Sequence, residues 1–357
     1  MEIEKFVRPN IKSLTPYQAK EIPCRVKLDA NESPYGLSRQ VLAVLSSRKG
    51  RDLFLRVNRY PDPEAGSLKK VIAANLKIRP ENLLQGNGSD ELIYYLITTF
   101  GGPVLFPTPT FSMYGIIAQA IGEEKVGVPL DEEFDLDMKR MLREIRLNKP
   151  KLIFLSTPNN PTGNCFSSDR ILRIIESGSS IVVVDEAYQP FASEKGFIPL
   201  LRDYENLLIM RTLSKIGLAG LRAGFLIGSQ KIINEVNKVR LPFNLNSLSQ
   251  AIAEEVMKRG DILKRNIKSV ISERGKLFRE MSEMDGIKPY PSEANFIMFR
   301  TAATDAIYEG LLNKGVLVRN MKGVVDGCLR VTVGTPEENR TFIAALKRVV
   351  SNRGRKK

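Results

Sequence analysis

The chain of 357 residues contains no histidine. That absence removes Ser-His-Asp and Cys-His catalysis, and metals held by imidazole, in one step. Proton transfer has to come from Lys, Tyr, Asp, Glu, Cys or a bound cofactor. Cysteine is nearly absent too: Cys24, Cys165 and Cys328 lie far apart, with no paired ligand spacing. Such a set argues for a reducing cytoplasm, without disulfides or a zinc site. No apolar run approaches the roughly 20 residues of a membrane span. The opening Met-Glu-Ile-Glu-Lys-Phe carries acids and lacks an apolar core, so it does not read as a secretory signal. A membrane partner is therefore not expected.

Charge is plentiful but diffuse. Lys and Arg number 54 and Asp and Glu 40, a net +14. The only dense basic run is the tail, Arg353-Gly-Arg-Lys-Lys357, and no basic patch is interleaved with aromatics. A basic surface with a frayed tail is expected, and no nucleic-acid partner. A different class, a basic nucleic-acid-binding or regulatory protein that has kept a fold and lost its chemistry, stays open on charge alone.

Hydrophobic residues make up 43% of the chain and charged residues 26%, enough for a large core and a smaller second one. Prolines 9, 16, 23 and 34 break up the first 36 residues, which read as an arm. In it, Leu14-Thr-Pro-Tyr-Gln18 suggests a turn into a short helix and residues 26–30 a strand. Asn58-Arg-Tyr-Pro-Asp-Pro63 reads as a rigid loop. From residue 81, apolar strands at 82–85, 104–106, 152–156, 181–185, 207–210 and 223–227 alternate with helical patterns. Strands apolar on both faces and joined by helices describe a mainly parallel sheet covered on both sides. Pro242 and Asn244 interrupt the pattern. A helix-rich stretch at 247–283 and strands at 295–299, 316–318 and 328–333 then suggest a second α/β unit. The expected organisation is an arm at 1–36, a large domain at 37–242, a small domain at 243–350 and a basic disordered tail at 351–357.

The chemistry concentrates in Arg211-Thr-Leu-Ser-Lys-Ile-Gly-Leu-Ala-Gly-Leu-Arg222, directly after a strand. It holds one lysine, Lys215, hydroxyls at Thr212 and Ser214, and Arg222 seven positions on. A desolvated lysine is a nucleophilic amine, and the hydroxyls and Arg222 suit an anion held close by. Gly86-Asn-Gly-Ser-Asp90 joins a strand to a helix. Either Gly88 and Ser89 open an anion cradle on the helix dipole, or Ser89 or Asp90 merely caps the helix. Asn159-Asn-Pro-Thr-Gly163 is a turn after another strand. Asp185-Glu-Ala-Tyr188 closes the most apolar strand, where an unpaired carboxylate is costly and a protonated ring nitrogen would be a fitting partner. Phe111 opens a helix at a further strand end, placed to stack on a flat ring or to pack in the core. Arg330 inside an apolar strand, and Arg319 at the end of another, must face solvent, a structural acid or a bound anion. Tyr17, Asn31 and Tyr60 carry no clear reading by themselves.

In this order the motifs resemble fold-type-I pyridoxal phosphate-dependent aminotransferases. Leu14-Thr-Pro-Tyr-Gln18, Asn58-Arg-Tyr-Pro-Asp-Pro63 and Leu329-Arg-Val-Thr-Val-Gly-Thr335 narrow the resemblance to the histidinol-phosphate aminotransferase branch, over about residues 8–350. The resemblance implies a large domain built on a mainly parallel seven-stranded sheet, a smaller α/β C-terminal domain, and a homodimer. It implies pyridoxal 5'-phosphate linked to Lys215, Asp185 at the pyridine nitrogen, and Asn160 and Tyr188 at the ring hydroxyl. Gly88, Ser89, Asp90, Thr212, Ser214 and Arg222 would surround the phosphate, helped by Tyr60 from the partner subunit. Phe111 would stack on the ring, where relatives often place Tyr. Asn31, Tyr17, Arg319 and Arg330 would bind substrate: the carboxylate of glutamate or 2-oxoglutarate, and the phosphate of histidinol phosphate. An aromatic amino acid aminotransferase or a threonine-phosphate decarboxylase would use the same cofactor site.

Overall fold

The computed structural model describes residues 2–16, 22–47, 50, 57–178 and 180–354. Its twelve strands among these residues are, in chain order, β1 Val26–Leu28, β2 Leu83–Asn87, β3 Val104–Thr108, β4 Lys125–Pro129, β5 Leu152–Ser156, β6 Ile181–Asp185, β7 Leu207–Thr212, β8 Ala223–Ile227, β9 Lys288–Pro289, β10 Phe296–Arg300, β11 Val316–Asn320 and β12 Cys328–Thr332. Seven form one sheet in the order β2-β8-β7-β6-β5-β3-β4, and five form a second in the order β1-β11-β12-β10-β9. In the large sheet only β8 runs against its neighbours. The mainly parallel seven-stranded α/β architecture is thus present.

Why the central strands are apolar throughout is visible in where successive side chains go. Val182, Val184, Leu207 and Ile209 enter the core on one face, while Val183, Leu208 and Met210 enter the core on the other. Side chains alternate along a strand, so burial on both faces demands an unbroken apolar run. Each such side chain contributes roughly 1.5–3 kcal/mol by leaving water. The strand β4 went unlocated in the sequence. It lies at the sheet edge with a largely solvent-facing, Gly- and Pro-containing sequence, Lys-Val-Gly-Val-Pro, and so lacks the apolar run that marks its neighbours.

The arm is more integrated than its prolines suggest. Its strand β1, three residues long and shorter than the expected 26–30, pairs parallel with β11 as the edge of the small sheet. A short helix spans Pro9–Lys12; residues 14–16 have no regular structure, and Tyr17 with the rest of its motif lies outside the described residues. The division expected near 243 does not coincide with the packing. Leu245, Ala253, Val256 and Leu263 join the core of the large unit, and the small unit's core takes up the long helix Gly260–Ser282 at Val270. The last helix, Pro336–Gly354, continues past 350, where a disordered tail was expected to begin; residues 355–357 lie outside the described residues.

One buried charge pair pins the end of β6. Glu186 is 1% exposed; its Oε2 accepts from Nε and Nη2 of Arg211, at 2.8 and 2.6 Å, and its Oε1 accepts from the Phe197 amide. Removing one partner of a buried pair strands the other charge. Arg211→Met should therefore lower stability by about 3–5 kcal/mol in denaturant titrations, and adding Glu186→Gln should recover part of the loss.

Candidate active site

The strands β5, β6 and β7 end in register, with Ser156 opposite Asp185 and Asp185 opposite Met210. The loops that follow them carry most of the residues singled out above, at the carboxyl ends where open α/β sheets bind ligands.

Asp185 is 3% exposed. Its Oδ2 accepts from the Tyr114 hydroxyl at 2.6 Å and its Oδ1 from the Ala187 amide at 3.0 Å. Among the described residues no cation lies within ion-pair distance of it. Burial, with Asp90 and Glu186 adding to it, pushes the carboxyl up to about 6, against the pull of the Tyr114 and Ala187 bonds. The next residue, Glu186, turns to Arg211 on the other side of the strand, so neighbouring acids are separated by the alternation of the chain. Tyr188 closes the turn and packs into the core of the small unit; its hydroxyl accepts from Asn31 Nδ2 at 2.9 Å. Asn31 holds a left-handed backbone, φ 54°, and its amide bonds to Thr332 Oγ1. The arm, β6 and β12 thus meet at Tyr188.

Lys215 stands in the short turn Ser214–Ile216 that follows β7, partly buried, with its Nζ 5.8 Å from the centre of the Tyr188 ring. Thr212 Oγ1 donates to Ser214 Oγ at 2.9 Å and accepts from the Ser214 amide, which orders the two hydroxyls beside the lysine. Across β8, Arg222 sits in the left-handed region and its Nη2 reaches Asp90 Oδ2 at 3.3 Å.

The helix Ser89–Phe100 begins at Gly88 with no side-chain cap. Ser89 and Asp90 are therefore first-turn residues, and neither is the cap. Gly88 has φ +83°, and a Cβ there would come 2.5 Å from Arg222 Nη2. Glycine is required both by the backbone and by the guanidinium that fills the space above it. Uncapped amides, the positive helix end, Ser89, Thr212, Ser214 and Arg222 would together suit an anion.

On the opposite wall, Arg330 is 9% exposed. Its Nη1 donates to Asn160 Oδ1, its Nη2 to the Asp29 carbonyl at 2.9 Å, and its guanidinium lies 5.1 Å from the Phe296 ring centre. Arg319 pairs directly with Arg330 across β11 and β12, which puts both on the same sheet face, and it is exposed. Like charges directly opposite repel unless an anion joins them. Phe111 contacts Tyr114 edge-on, with centroids 5.6 Å apart. Tyr60 is 81% exposed and stacks on Phe243, centroids 4.5 Å apart, apart from the other predicted residues in this single chain.

Two residues went unread in the sequence. Tyr114 sits on the helix Met113–Ile121 and is fully buried with its hydroxyl on Asp185. The signal was a phenol within an apolar stretch, which needs a partner for its hydroxyl. Asn159, also fully buried, bonds Thr110, the Pro109 carbonyl and Thr162, tying the Phe111 and Asn160 loops together.

Pyridoxal phosphate fits these residues. Its phosphate would suit the Gly88–Arg222 corner, its protonated nitrogen would neutralise a carboxylate that has only neutral donors among the described residues, and Lys215 would offer an amine. The family model for class I and II aminotransferases matches residues 25–346. Histidinol-phosphate aminotransferase 2 of Nitrosococcus oceani is 44% identical, with 97% of each chain covered. The histidinol-phosphate aminotransferase of Aquifex aeolicus is 43% identical, covering 97% of this chain and 99% of its own. The crystal structure of histidinol-phosphate aminotransferase from Sinorhizobium meliloti in complex with pyridoxal-5'-phosphate superposes with a TM-score of 0.85 at 24% identity, covering 97% of this chain and 98% of that one.

The raised Asp185 carboxyl carries a pH signature. Its folded value, about 6, lies above the ordinary 3.8, so ionising it in the cofactor-free fold costs stability. The cost is absent below about pH 4, grows through the interval and is complete above about pH 6, at up to roughly 3 kcal/mol. Cofactor-free Asp185→Asn should therefore melt higher than the wild-type chain near pH 8 and show no such advantage near pH 4.

Proposed function

Because the chain belongs to the class I and II aminotransferase family, we propose that it transfers the amino group of histidinol phosphate to 2-oxoglutarate, with pyridoxal 5'-phosphate as cofactor, in histidine biosynthesis. The observation that carries the substrate assignment is the 44% identity to a histidinol-phosphate aminotransferase across 97% of both chains. The site geometry supplies a physical reason for it. One enzyme has to accept a carboxylate in one half-reaction and a phosphate in the other. The cross-strand pair Arg319 and Arg330 puts two guanidinium groups on one face, and both oxyanions suit planar, fixed donors.

The bound cofactor supplies an electron-withdrawing ring that stabilises charge developing at the substrate's alpha carbon. The chain's residues do the rest. Lys215 would hold the cofactor through its Nζ and, when its amine is free, would serve as the base that takes the substrate's alpha proton and returns one at the neighbouring position. Asp185 would hold the proton on the ring nitrogen. Asn160 and Tyr188 would contact the ring hydroxyl, and Phe111 would stack on the ring. Gly88, Ser89, Asp90, Thr212, Ser214 and Arg222 line the phosphate cradle. Arg330 and Arg319 would bind the anionic end of each substrate together with Asn31; Tyr17 is assigned to the same group by the sequence resemblance alone.

The working form is a homodimer in the cytoplasm. Tyr60, exposed and braced by Phe243 in one subunit, reaches the phosphate of its partner's site. The alternatives on the same cofactor, an aromatic aminotransferase and a threonine-phosphate decarboxylase, differ in the group they present to the arginines.

Two measurements test this reading. In single-turnover mixing of the pyridoxal form with histidinol phosphate, phenylalanine or threonine phosphate, histidinol phosphate should convert the cofactor band at least tenfold more efficiently. A faster reaction with either competitor, or release of carbon dioxide from threonine phosphate, would replace the substrate. Lys215→Ala should lose the borohydride-stable mass of the attached cofactor and lower the rate by about 100-fold or more.

A further inference from the structure

The residue that governs Asp185 in this structure lies on a different element, three positions beyond Phe111. Tyr114 is fully buried on the helix Met113–Ile121, its ring stacked on Phe154 with centroids 4.7 Å apart and planes 13° apart. Phe111 meets its edge at 5.6 Å. That packing leaves the ring one orientation, and in it the hydroxyl lies 2.6 Å from Asp185 Oδ2. The Ala187 amide takes the other oxygen. The carboxylate plane is thus set by two donors, one of them the tyrosine.

We propose that Tyr114 is a positioning residue: its hydroxyl fixes the orientation and the charge of Asp185 toward the cofactor's ring nitrogen, while its ring braces Phe111 against the face of the same cofactor. The inference rests on the cofactor reading above. Its physical basis is a competition at Asp185. Burial, Asp90 and Glu186 oppose the charged form, and the bonds from Tyr114 and Ala187 favour it. Tyr114 remains a donor throughout the working range, because burial and the charge of Asp185 hold its phenol well above 10, against a contact from the Ser156 hydroxyl. A hydrogen bond to a charged, buried acceptor is among the stronger ones available to a side chain. Removing it should make Asp185 a weaker acid, ionised to a smaller extent and less firmly oriented toward a pyridinium.

Tyr114→Phe deletes the hydroxyl and keeps the ring. In cofactor-free protein, the Asp185 carboxyl is followed by infrared titration, with Asp185→Asn subtracted to assign its band. Tyr114→Phe should raise the midpoint by about one unit. In the holoenzyme, Tyr114→Phe should weaken pyridoxal phosphate binding about tenfold in the wild-type background and have little effect in the Asp185→Asn background. An unchanged midpoint, or an equal loss of affinity in both backgrounds, overturns the proposal and leaves Tyr114 as packing only. Should Tyr114→Phe fold poorly, 3-fluorotyrosine placed at 114 keeps the shape and makes a stronger donor. It should move the midpoint down, and a null or upward shift overturns the proposal as well. The cofactor reading fails separately, if the wild-type protein binds no pyridoxal phosphate; the carboxyl titration does not depend on that result.

Discussion

A carboxylate with no cation beside it, sealed at the end of the most apolar strand, is the constraint around which this molecule is arranged. Asp185 is buried and held by neutral donors alone among the described residues. In water such a group would be comfortable; here its charge is costly. The fold tolerates that cost because the strand is anchored from both sides by apolar side chains and from beyond by the pairing of Glu186 with Arg211. The two adjacent acids divide the labour. One is paired with a guanidinium inside the protein, and the other is held by neutral donors alone among the described residues, which would suit a ligand that brings its own positive charge.

The anion cradle has the opposite sign and the same logic. Gly88 opens the helix Ser89–Phe100 without a side-chain cap, and Arg222, the residue before β8, hangs over it. The positive helix end and the guanidinium meet at one point, relieved by the partly exposed Asp90 and by Glu91, whose carboxylate accepts from the Asn87 amide. A ligand that carries a cationic ring nitrogen at one end and a phosphate at the other answers both imbalances at once. This complementarity, more than any single contact, is why the arrangement suits one cofactor class so closely.

Much of this was legible in the chain, and the reasons differ by residue. Strands such as 152–156, 181–185 and 223–227 were found to the residue, because burial on both faces forces an unbroken apolar run. The edge strand Lys125–Pro129 was invisible, since an exposed edge imposes no such pattern. Motif order brought Lys215, in the turn after β7, and Asp185, at the end of β6, forward, and the glycine of a strand-to-helix turn marked Gly88, where the backbone has φ +83°. Tyr114 and Asn159 were passed over because their partners are remote in sequence: Asp185 is 71 residues from Tyr114, and Thr110 is 49 residues from Asn159. A donor and acceptor that far apart leave no periodic trace. The packing of residues 245–263 on the larger core was hidden for a related reason, because Pro242 marks a turn and says nothing about which core follows.

The edge strand of the small sheet comes from the other end of the chain. Val26–Leu28 pairs with Val316–Val318, and the Asn31 just beyond it bonds Thr332. On a ribosome the arm emerges long before its partner strand, so it has no native place to dock while the residues between them are made. The tyrosine of the β6 turn, which relies on Asn31, likewise waits for the final strands. Assembly of this region thus has to await the later strands of the small sheet, and a product stopped short of residue 316 would display an unpaired strand while lacking the strands that carry Arg319 and Arg330.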